Sequence, residues 1–266
     1  MAENSIQFTA NIAENYDKYL GPIFFIPCAN NLITHIKGTP KNILEIAAGT
    51  GHVTRLLVKK FPDSEITATD INEGMLDVAK GIIRSDKVKW NVVDACEIPY
   101  KDNTFDLYIR QFGIMFFPDK QKAMAEAYRV LKPGGTIMFS TWDKIENSTL
   151  AKITNDVITD LFPDDPPNFY QIPFSMHDPD EMRSMMESAG FKNISVQNIK
   201  LEGYADSFEN AVKAFAEGNP IANQVEERDP KALPKFKENL ARAIEKQFGS
   251  GSFKVPLSKF IVSAEK

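Results

Sequence analysis

The chain has 266 residues, 43% of them apolar and 25% charged, a composition typical of a soluble globular protein that can bury a sizeable core. Its 31 basic and 36 acidic residues give a net charge of −5, which does not favour nucleic acid or an anionic membrane surface as a partner. The two cysteines, Cys28 and Cys96, cannot form a disulfide framework, and the three histidines lie far apart in the sequence. Composition therefore predicts a single cytoplasmic domain, residues 1–266, with no metal site.

The N-terminal part of the chain predicts a helical arm. Residues 5–37 have a helical pattern, with breaks expected at Gly21-Pro22 and at Pro27, because proline removes a backbone donor. The first twenty residues lack the basic start and apolar core of a signal peptide. The apolar run Ile23–Ile26 is far shorter than the ~20 residues that span a bilayer, so no membrane span is predicted.

Between residues 41 and 142, short apolar runs alternate with amphipathic helical patterns. The predicted strands are Asn42–Ala47, Glu65–Asp70, Val88–Val93, Phe105–Ile109 and Thr136–Thr141. The predicted helices are Thr50–Phe61, Glu73–Arg84 and Lys120–Leu131. This alternation is typical of βαβ units and a parallel sheet. The segment Pro133-Gly134-Gly135 predicts a turn just before the fifth strand.

After Trp142 the alternation becomes looser. Two further strands are predicted, Phe191–Leu201 and Phe253–Ala264, and a helix capped by Asp178 is predicted before the first of them. Residues 143–177 and 205–250 interrupt this succession. They are interpreted as helical insertions over one edge of the sheet, not as a separate domain.

The strongest indication of a ligand site is the sequence from Asn42 to Gly51, in which a buried strand leads into a glycine turn and then a helix. Gly49 and Gly51 let the backbone approach a ligand, and the helix N-terminus offers free N–H groups. Nicotinamide- and flavin-binding folds share this pattern, but their fingerprint needs glycine or alanine where this chain has Thr54. Glu45, just before the turn, would repel a diphosphate.

A polar residue lies at the end of each of the next three predicted strands or directly after it. Asp70 ends the second predicted strand, 19 residues after Gly51, where a carboxylate can accept hydrogen bonds from both hydroxyls of a ribose. Asp94-Ala95 follows the third strand, where a carboxylate can accept from an adenine amino group. Gln111 follows the fourth strand. In an open parallel sheet all these positions converge on one crevice.

With these residues in place, the stretch 41–142 resembles the core of a class I S-adenosylmethionine-dependent methyltransferase, and it is similar to the small-molecule branch that includes the quinone-biosynthesis C-methyltransferases. The matching motifs follow the family's order and are Leu44–Gly51, Thr69–Asn72 with Met75, Asp94-Ala95, Phe105-Asp106 and Arg129–Gly135. One departure is Ala47, where the family more often has glycine. The resemblance implies a Rossmann-like, doubly wound α/β fold with a seven-stranded, mostly parallel sheet whose last strand is antiparallel.

The resemblance also implies which residues would contact S-adenosylmethionine. These residues are Tyr16, Glu45, Ala47, Gly49, Gly51, Asp70, Ile71, Met75, Asp94, Ala95 and Gln111. The glycine turn would cradle the methionine part, Asp70 would hold the ribose, and Asp94 with Ala95 would bind the adenine against Ile71 or Met75. The arm would fold over the cofactor, and the two insertions would form a lid that excludes water.

Methyl transfer requires few catalytic groups from the protein, because the sulfonium already activates the methyl group. Catalysis can then consist mostly of positioning the acceptor against that methyl group. A base is needed only where the acceptor must lose a proton. His177, Asp143, Tyr170 and Tyr16 are the candidates, and the sequence does not choose among them. His52, at the start of the first core helix, is expected to be a solvated residue.

The sequence therefore predicts an enzyme that transfers a methyl group from S-adenosylmethionine to an O, N or C atom of a small, partly apolar metabolite, with S-adenosylhomocysteine as the product. A protein acceptor stays open within that class. Two other classes also stay open: a non-catalytic module that binds the cofactor or its product, and a nicotinamide-dependent oxidoreductase. The oligomeric state is not determined by the sequence.

Overall fold

The computed structural model describes residues 10–266, and these residues form two compact units. The sheet unit comprises Cys28–Lys144, Ile172–Leu201 and Ser258–Lys266. The helical unit comprises residues 10–27, Ile145–Gln171 and Glu202–Leu257.

The strands confirm the predicted fold class. They are β1 (Asn42–Ile46), β2 (Glu65–Asp70), β3 (Val88–Val92), β4 (Phe105–Gln111), β5 (Leu131–Trp142), β6 (Lys192–Ala205) and β7 (Phe253–Glu265). They form one seven-stranded sheet in the order β3-β2-β1-β4-β5-β7-β6. Neighbouring strands from β3 to β5 pair in parallel, and β7 pairs antiparallel with β5. The carboxyl ends of the five parallel strands therefore meet at one edge, here called the carboxyl edge.

The helices alternate with the first strands as the sequence predicts. They are α1 (Ala10–Asn15), α2 (Ile26–Thr34), α3 (His52–Lys60), α4 (Glu73–Ile82), α5 (Lys120–Val130), α6 (Thr149–Leu161), α7 (Pro179–Ser188), α8 (Phe208–Glu217), α9 (Ile221–Arg228) and α10 (Ala232–Phe248). The predicted cap of α7 is confirmed, since the Asp178 carboxylate accepts from the N–H of Asp180 at 2.8 Å and Pro179 lies in the first turn.

The predicted breaks in the N-terminal arm are wrong. A π-helix, Tyr16–Phe25, runs through Gly21 and Pro22, and the N–H of Ile26 donates to the carbonyl oxygen of Gly21. Pro27 lies in the first turn of α2, where a missing N–H removes no intrahelical bond. The predicted arm also includes residues 5–9, which lie outside the described residues.

The turn predicted at Pro133-Gly134-Gly135 lies inside β5, which begins earlier than Thr136. Phe105 pairs with Leu131 and Leu107 pairs with Thr136, so the residues between Leu131 and Thr136 bulge out of the strand. Gly134, with a φ of 77°, provides the left-handed conformation within this bulge.

One face of the sheet unit packs against α2 and α3 and is called the α3 face. Its buried strand residues belong to six strands and are Ile43, Ile66, Ala68, Val88, Leu107, Ile109, Met138 and Ile261. They pack with Leu32 of α2 and with Val53 and Leu57 of α3. Because side chains alternate between faces, Glu45, two residues after Ile43, lies on this face at the carboxyl edge.

The helical unit has its own apolar core. The ring of Phe24 lies 5.2 Å from that of Phe215 in an edge-to-face contact. Gly203 lies against the carbonyl oxygen of Ile23, where a Cβ would clash. The large, fully buried apolar side chains of α6 and α10 include Leu150, Phe236, Leu240 and Ile244. The lid role of residues 143–177 and 205–250 stays a prediction.

Candidate functional site

The turn between β1 and α3 is held in an unusual backbone conformation. Ala47, Gly49 and Gly51 have φ values of 56°, 57° and 83°. Ala47 is the residue at which this motif departs from the resemblance, and its left-handed φ is a conformation that favours glycine. A non-glycine residue in this conformation costs about 1–2 kcal/mol. The N–H of Ala48 donates to the carbonyl oxygen of Thr69 at 2.8 Å, which ties the turn to β2.

The two glycines of the turn, Gly49 and Gly51, have different structural roles. A Cβ on Gly51 would lie 2.6 Å from Cδ1 of Ile83 and 3.2 Å from Cβ of Ala79, so Gly51 allows close packing on α4. A Cβ on Gly49 would meet nothing within 4 Å. Gly49 therefore borders open space, as a backbone that approaches a ligand must.

Asp70 connects the end of β2 to this turn. Its Oδ2 accepts the N–H of Gly49 at 2.8 Å, and its Oδ1 accepts the N–H of Asn72 at 2.9 Å. Burial raises the pKa of Asp70, and the backbone N–H groups that it accepts oppose that shift. A carboxylate has about four lone-pair sites, so both oxygens can still accept from a ligand.

The end of β3 lies beside Asp70, as the N–H of Val93 donates to the carbonyl oxygen of Asp70 at 3.1 Å. Asp94 is exposed, and its Oδ1 accepts the N–H of Cys96 at 2.8 Å. Ile71 is 70% exposed, which is unusual for a large apolar side chain at the edge of a buried sheet. This edge thus presents carboxylates and an apolar surface side by side.

Buried residues support the turn from behind. Glu45 is 1% exposed, and its Oε2 accepts the hydroxyl of Thr54 at 2.6 Å. Thr54, the residue that departs from the dinucleotide fingerprint, is therefore the partner of Glu45. Met75 is also buried, and its N–H donates to the Asn72 side chain at 3.1 Å, which caps α4.

The pKa of Glu45 is raised from 4.5 to about 8, mainly by burial, with the Thr54 hydrogen bond opposing the rise and the charge of Asp70 adding to it. Between pH 4.5 and 8 the native state therefore holds a proton that the unfolded chain has released. The contribution of protonated Glu45 to the free energy of unfolding is complete below pH 4.5 and is lost as the pH rises through about 8.

We expect Glu45→Gln, which keeps the neutral shape, to remove this pH dependence. Relative to the variant, the wild type should lose about 4 kcal/mol of unfolding free energy between pH 5 and pH 9. Urea titrations at both pH values measure the difference. Glu97→Gln, at an exposed carboxylate, is the control and should match the wild type. Parallel stability profiles for wild type and Glu45→Gln would contradict the burial argument.

The hydroxyl of Thr50 is a further feature of the site, and the sequence pattern does not predict it. Thr50 is 1% exposed, and its Oγ1 has no hydrogen-bond partner within the described residues. A buried polar atom without a partner costs about 1–3 kcal/mol, which a ligand can offset. No sequence signal distinguishes this threonine from one that serves only the turn.

Comparison with known proteins identifies relatives of this chain. Residues 44–139 match the model of a methyltransferase domain family. The ubiquinone/menaquinone biosynthesis C-methyltransferase UbiE of Rickettsia bellii is 31% identical over 225 residues, which cover 71% of this chain and 85% of that protein. UbiE of Idiomarina loihiensis is 33% identical over 172 residues, covering 59% of this chain and 68% of that protein.

The chain belongs to the class I S-adenosylmethionine-dependent methyltransferases. A solved structure of phosphoethanolamine N-methyltransferase 2 from Haemonchus contortus, with S-adenosylhomocysteine bound, shares the fold with a TM-score of 0.63 and 18% identity. The alignment covers 98% of this chain but only 58% of that one. This methyltransferase is thus dependent on S-adenosylmethionine and of the small-molecule type, and an oxidoreductase or a non-catalytic module is not favoured.

The structure separates the predicted site residues into two groups. The sheet unit holds the carboxyl-edge residues, which are Glu45, Ala47, Gly49, Gly51, Asp70, Ile71, Met75, Asp94, Ala95 and Gln111. Gln111 is the half-buried last residue of β4 and pairs with Ser140. Tyr16 and Tyr170 belong to the helical unit, and their roles at the site stay predictions.

The candidate bases have different surroundings. His177 is exposed, and its Nδ1 lies 2.8 Å from the carbonyl oxygen of Phe174. Asp143 is buried, and its Oδ2 accepts from the Ser258 hydroxyl at 2.7 Å and from the Asn198 amide at 3.1 Å. Burial raises the pKa of Tyr170, so its phenol is a poor base near neutral pH. The identity of a base stays a prediction.

The prediction that His52 is solvated is wrong. His52 is only 7% exposed, and its Nδ1 lies 3.1 Å from Nη2 of Arg55, one turn further along α3. The sequence pattern places the residue on a first helical turn but does not show what covers that turn.

Neither a metal cluster nor a membrane helix is found in the described chain. Within residues 10–266, no three potential histidine, cysteine or carboxylate ligands come together. In the same range, no helix is both long and apolar enough to cross a membrane.

Proposed function

We propose that the carboxyl edge of β1, β2 and β3 binds S-adenosylmethionine, with Asp70 accepting hydrogen bonds from the two ribose hydroxyls. The hydrogen bond between Asp70 and the N–H of Gly49 carries this proposal. It fixes the carboxylate beside the turn, in one orientation, and leaves lone pairs that a ribose can use.

The remaining roles follow from burial and open space. Gly49 and the hydroxyl of Thr50 face the methionine part, since one borders open space and the other has no partner within the described chain. Asp94 and Ala95 bind the adenine, and the exposed Ile71 packs on its ring. The buried Glu45, Gly51 and Met75 hold the turn and the start of α4 behind the ligand, while Ala47 and Gln111 lie at the strand ends.

The chemistry divides simply between the cofactor and the chain. S-adenosylmethionine, when bound, supplies a methyl group that its sulfonium activates. The chain holds and orients the reacting groups, which converts an encounter in solution into a positioned reaction. A base contributes only where the acceptor must lose a proton.

The acceptor that we propose is a small, partly apolar molecule methylated at carbon, oxygen or nitrogen. The relatives at 31% and 33% identity are named for quinone biosynthesis and C-methylation, which supports an aromatic carbon as the first candidate. The negative net charge does not favour nucleic acid. We place the enzyme in the cytoplasm, because Cys28 and Cys96 are both free thiols.

A methyl-transfer assay tests this proposal. S-adenosylmethionine with a tritiated methyl group is offered with a naphthohydroquinone that has an open ring position, with catechol, or with a primary amine. We expect labelled product from the naphthohydroquinone, with S-adenosylhomocysteine formed in equal amount. Transfer to catechol or the amine instead would support the small-molecule class and contradict the carbon acceptor. Binding of S-adenosylmethionine with transfer to none of the three would contradict the proposal and favour the non-catalytic module.

A further inference from the structure

Lys259 is a buried cation near the carboxyl edge that the proposed cofactor site does not use. Its side chain is fully buried, and its Nζ donates to the carbonyl oxygen of Cys28 at 2.8 Å. In the part of the chain that the structure describes, no carboxylate lies within ion-pair distance of this amine. Burial lowers the pKa of Lys259, because it disfavours the protonated form of the amine. An uncompensated buried charge is costly, and an anionic partner would offset that cost.

The strand register places Lys259 in a row of polar side chains. Gln111 of β4 pairs with Ser140 of β5, and Trp142 of β5 pairs with Lys259 of β7. Paired residues share a face, as do residues two apart on one strand. Gln111, Ser140 and Lys259 therefore lie on one face across three adjacent strands. It is the α3 face, because Met138 and Ile261 belong to it.

Ser140 provides a second polar group in this row. It is fully buried, and its Oγ has no hydrogen-bond partner within the described residues. Ser140 and Lys259 are diagonal neighbours on the antiparallel pair, with Cα atoms about 7–8 Å apart, a separation that a lysine side chain can span. An acceptor oxygen near both would receive one charged and one neutral hydrogen bond.

An aromatic pair flanks the polar row. The rings of Phe112 and Trp142 stack at 3.8 Å with an angle of 11° between their planes. Phe112 directly follows Gln111, and Trp142 is the residue paired with Lys259. Buried polar groups beside aromatic surface are the usual composition of a site for a small molecule with one polar end.

The row also lies where an acceptor must reach the cofactor. β4 pairs with β1, whose turn forms the proposed cofactor site, and Glu45 is opposite Ile109. The strand order reverses between β1 and β4, and ligands of open α/β sheets bind at such a switch point. Along the carboxyl edge, Asp70 lies at the end of β2, the turn follows β1, and the polar row lies on β4, β5 and β7.

We propose that Lys259 and Ser140 form the acceptor-binding site of this enzyme and hold an acidic oxygen, a phenolate or an enolate, of the methyl acceptor. The inference rests on the proposed function, since it places the acceptor beside that cofactor site. The acceptor releases its proton to water, and the oxyanion then receives hydrogen bonds from the ammonium and the hydroxyl. A neutral acceptor of the same shape can still accept from both groups, but it lacks the attraction between a full negative charge and the ammonium.

The probe for this site is 4-nitrophenol, whose phenolate is distinguished from the neutral phenol by its visible absorbance. The wild-type protein, with and without S-adenosylhomocysteine, is titrated with the probe. We expect it to bind the phenolate at least about tenfold more tightly than the phenol. Lys259→Met should abolish this preference, Lys259→Arg should restore part of it, and Ser140→Ala should weaken it severalfold. Lys200→Met, at an exposed lysine of β6, is the matched control and should behave as the wild type.

Separate readouts keep this inference distinct from the proposed function. Calorimetry with S-adenosylhomocysteine on the same samples shows whether the cofactor site is intact, and circular dichroism shows whether each variant is folded. No phenolate preference in the wild type, or an equal preference in folded Lys259→Met, would overturn the assignment of Lys259. If Lys259→Met does not fold, an unchanged preference in Ser140→Ala would overturn it. Phenolate binding in a protein that fails to bind S-adenosylhomocysteine would support the acceptor site and contradict the cofactor site.

Discussion

Replacing Asp70 with alanine is expected to weaken binding of S-adenosylmethionine by about 100-fold or more. Hydrogen bonds to a charged group contribute about 1.5–3 kcal/mol each, and the carboxylate is proposed to accept two from the ribose. The substitution also removes the acceptor of the Gly49 N–H, which loosens the turn. Calorimetric titration with S-adenosylmethionine measures the loss, and Asp70→Asn should lose less because it keeps one oxygen acceptor.

Asp106 offers a matched control for this experiment. Its Oδ2 also accepts backbone N–H groups, those of Lys41 at 3.0 Å and Asn42 at 2.7 Å, but it lies at the start of β4, at the edge opposite the site. Asp106→Ala should reduce stability and leave cofactor affinity within about twofold of the wild type. Equal affinities for wild type and Asp70→Ala would contradict the proposed ribose site.

Gly49→Ala is expected to lower cofactor affinity by roughly tenfold to 100-fold while the protein stays folded. A Cβ at this position meets no atom of the chain within 4 Å and enters the space proposed for the methionine part. The left-handed φ of 57° adds about 1–2 kcal/mol of backbone strain. Calorimetry measures the affinity, and urea titration measures the strain.

Gly38→Ala separates these two effects. Gly38 also has a left-handed φ, 68°, and its Cβ would also meet nothing within 4 Å. It precedes β1, at the edge of the sheet remote from the turn. Both variants should lose a similar amount of stability, and only Gly49→Ala should lose affinity. If Gly38→Ala lost as much affinity, the effect would be one of stability and not of the site.

Much of the sheet unit can be predicted from the sequence, because its strand periodicity, turn residues and helix caps all indicate the same elements. The bounds of β2 match the predicted Glu65–Asp70, since a buried alternating run ends at an aspartate and the Asn72 cap starts the next helix. The glycine turn is recognisable because Gly49 and Gly51 stand between a buried strand and an amphipathic helix. These features depend on neighbours along the chain, which a sequence pattern records.

Other features depend on contacts between distant segments, which the sequence pattern does not record. Arg110 lies in an apolar strand and is fully buried, with its guanidinium 4.4 Å from the ring centre of Phe139. Lys259 lies in an interior strand, because β7 inserts between β5 and β6, and its amine donates to Cys28 far away in the sequence, neither of which a local signal predicts. The π-helix through Pro22 likewise uses a wider turn that residue preferences do not indicate.

A crystal structure of this enzyme with S-adenosylhomocysteine is the most direct test of the proposed cofactor site. We expect both ribose hydroxyls to lie within hydrogen-bond distance of the Asp70 carboxylate, the adenine to lie against Ile71 and beside Asp94, and the amino-acid part to lie along Gly49 and Thr50. A ligand that binds with its ribose away from Asp70, or outside the carboxyl edge of β1 and β2, would contradict it.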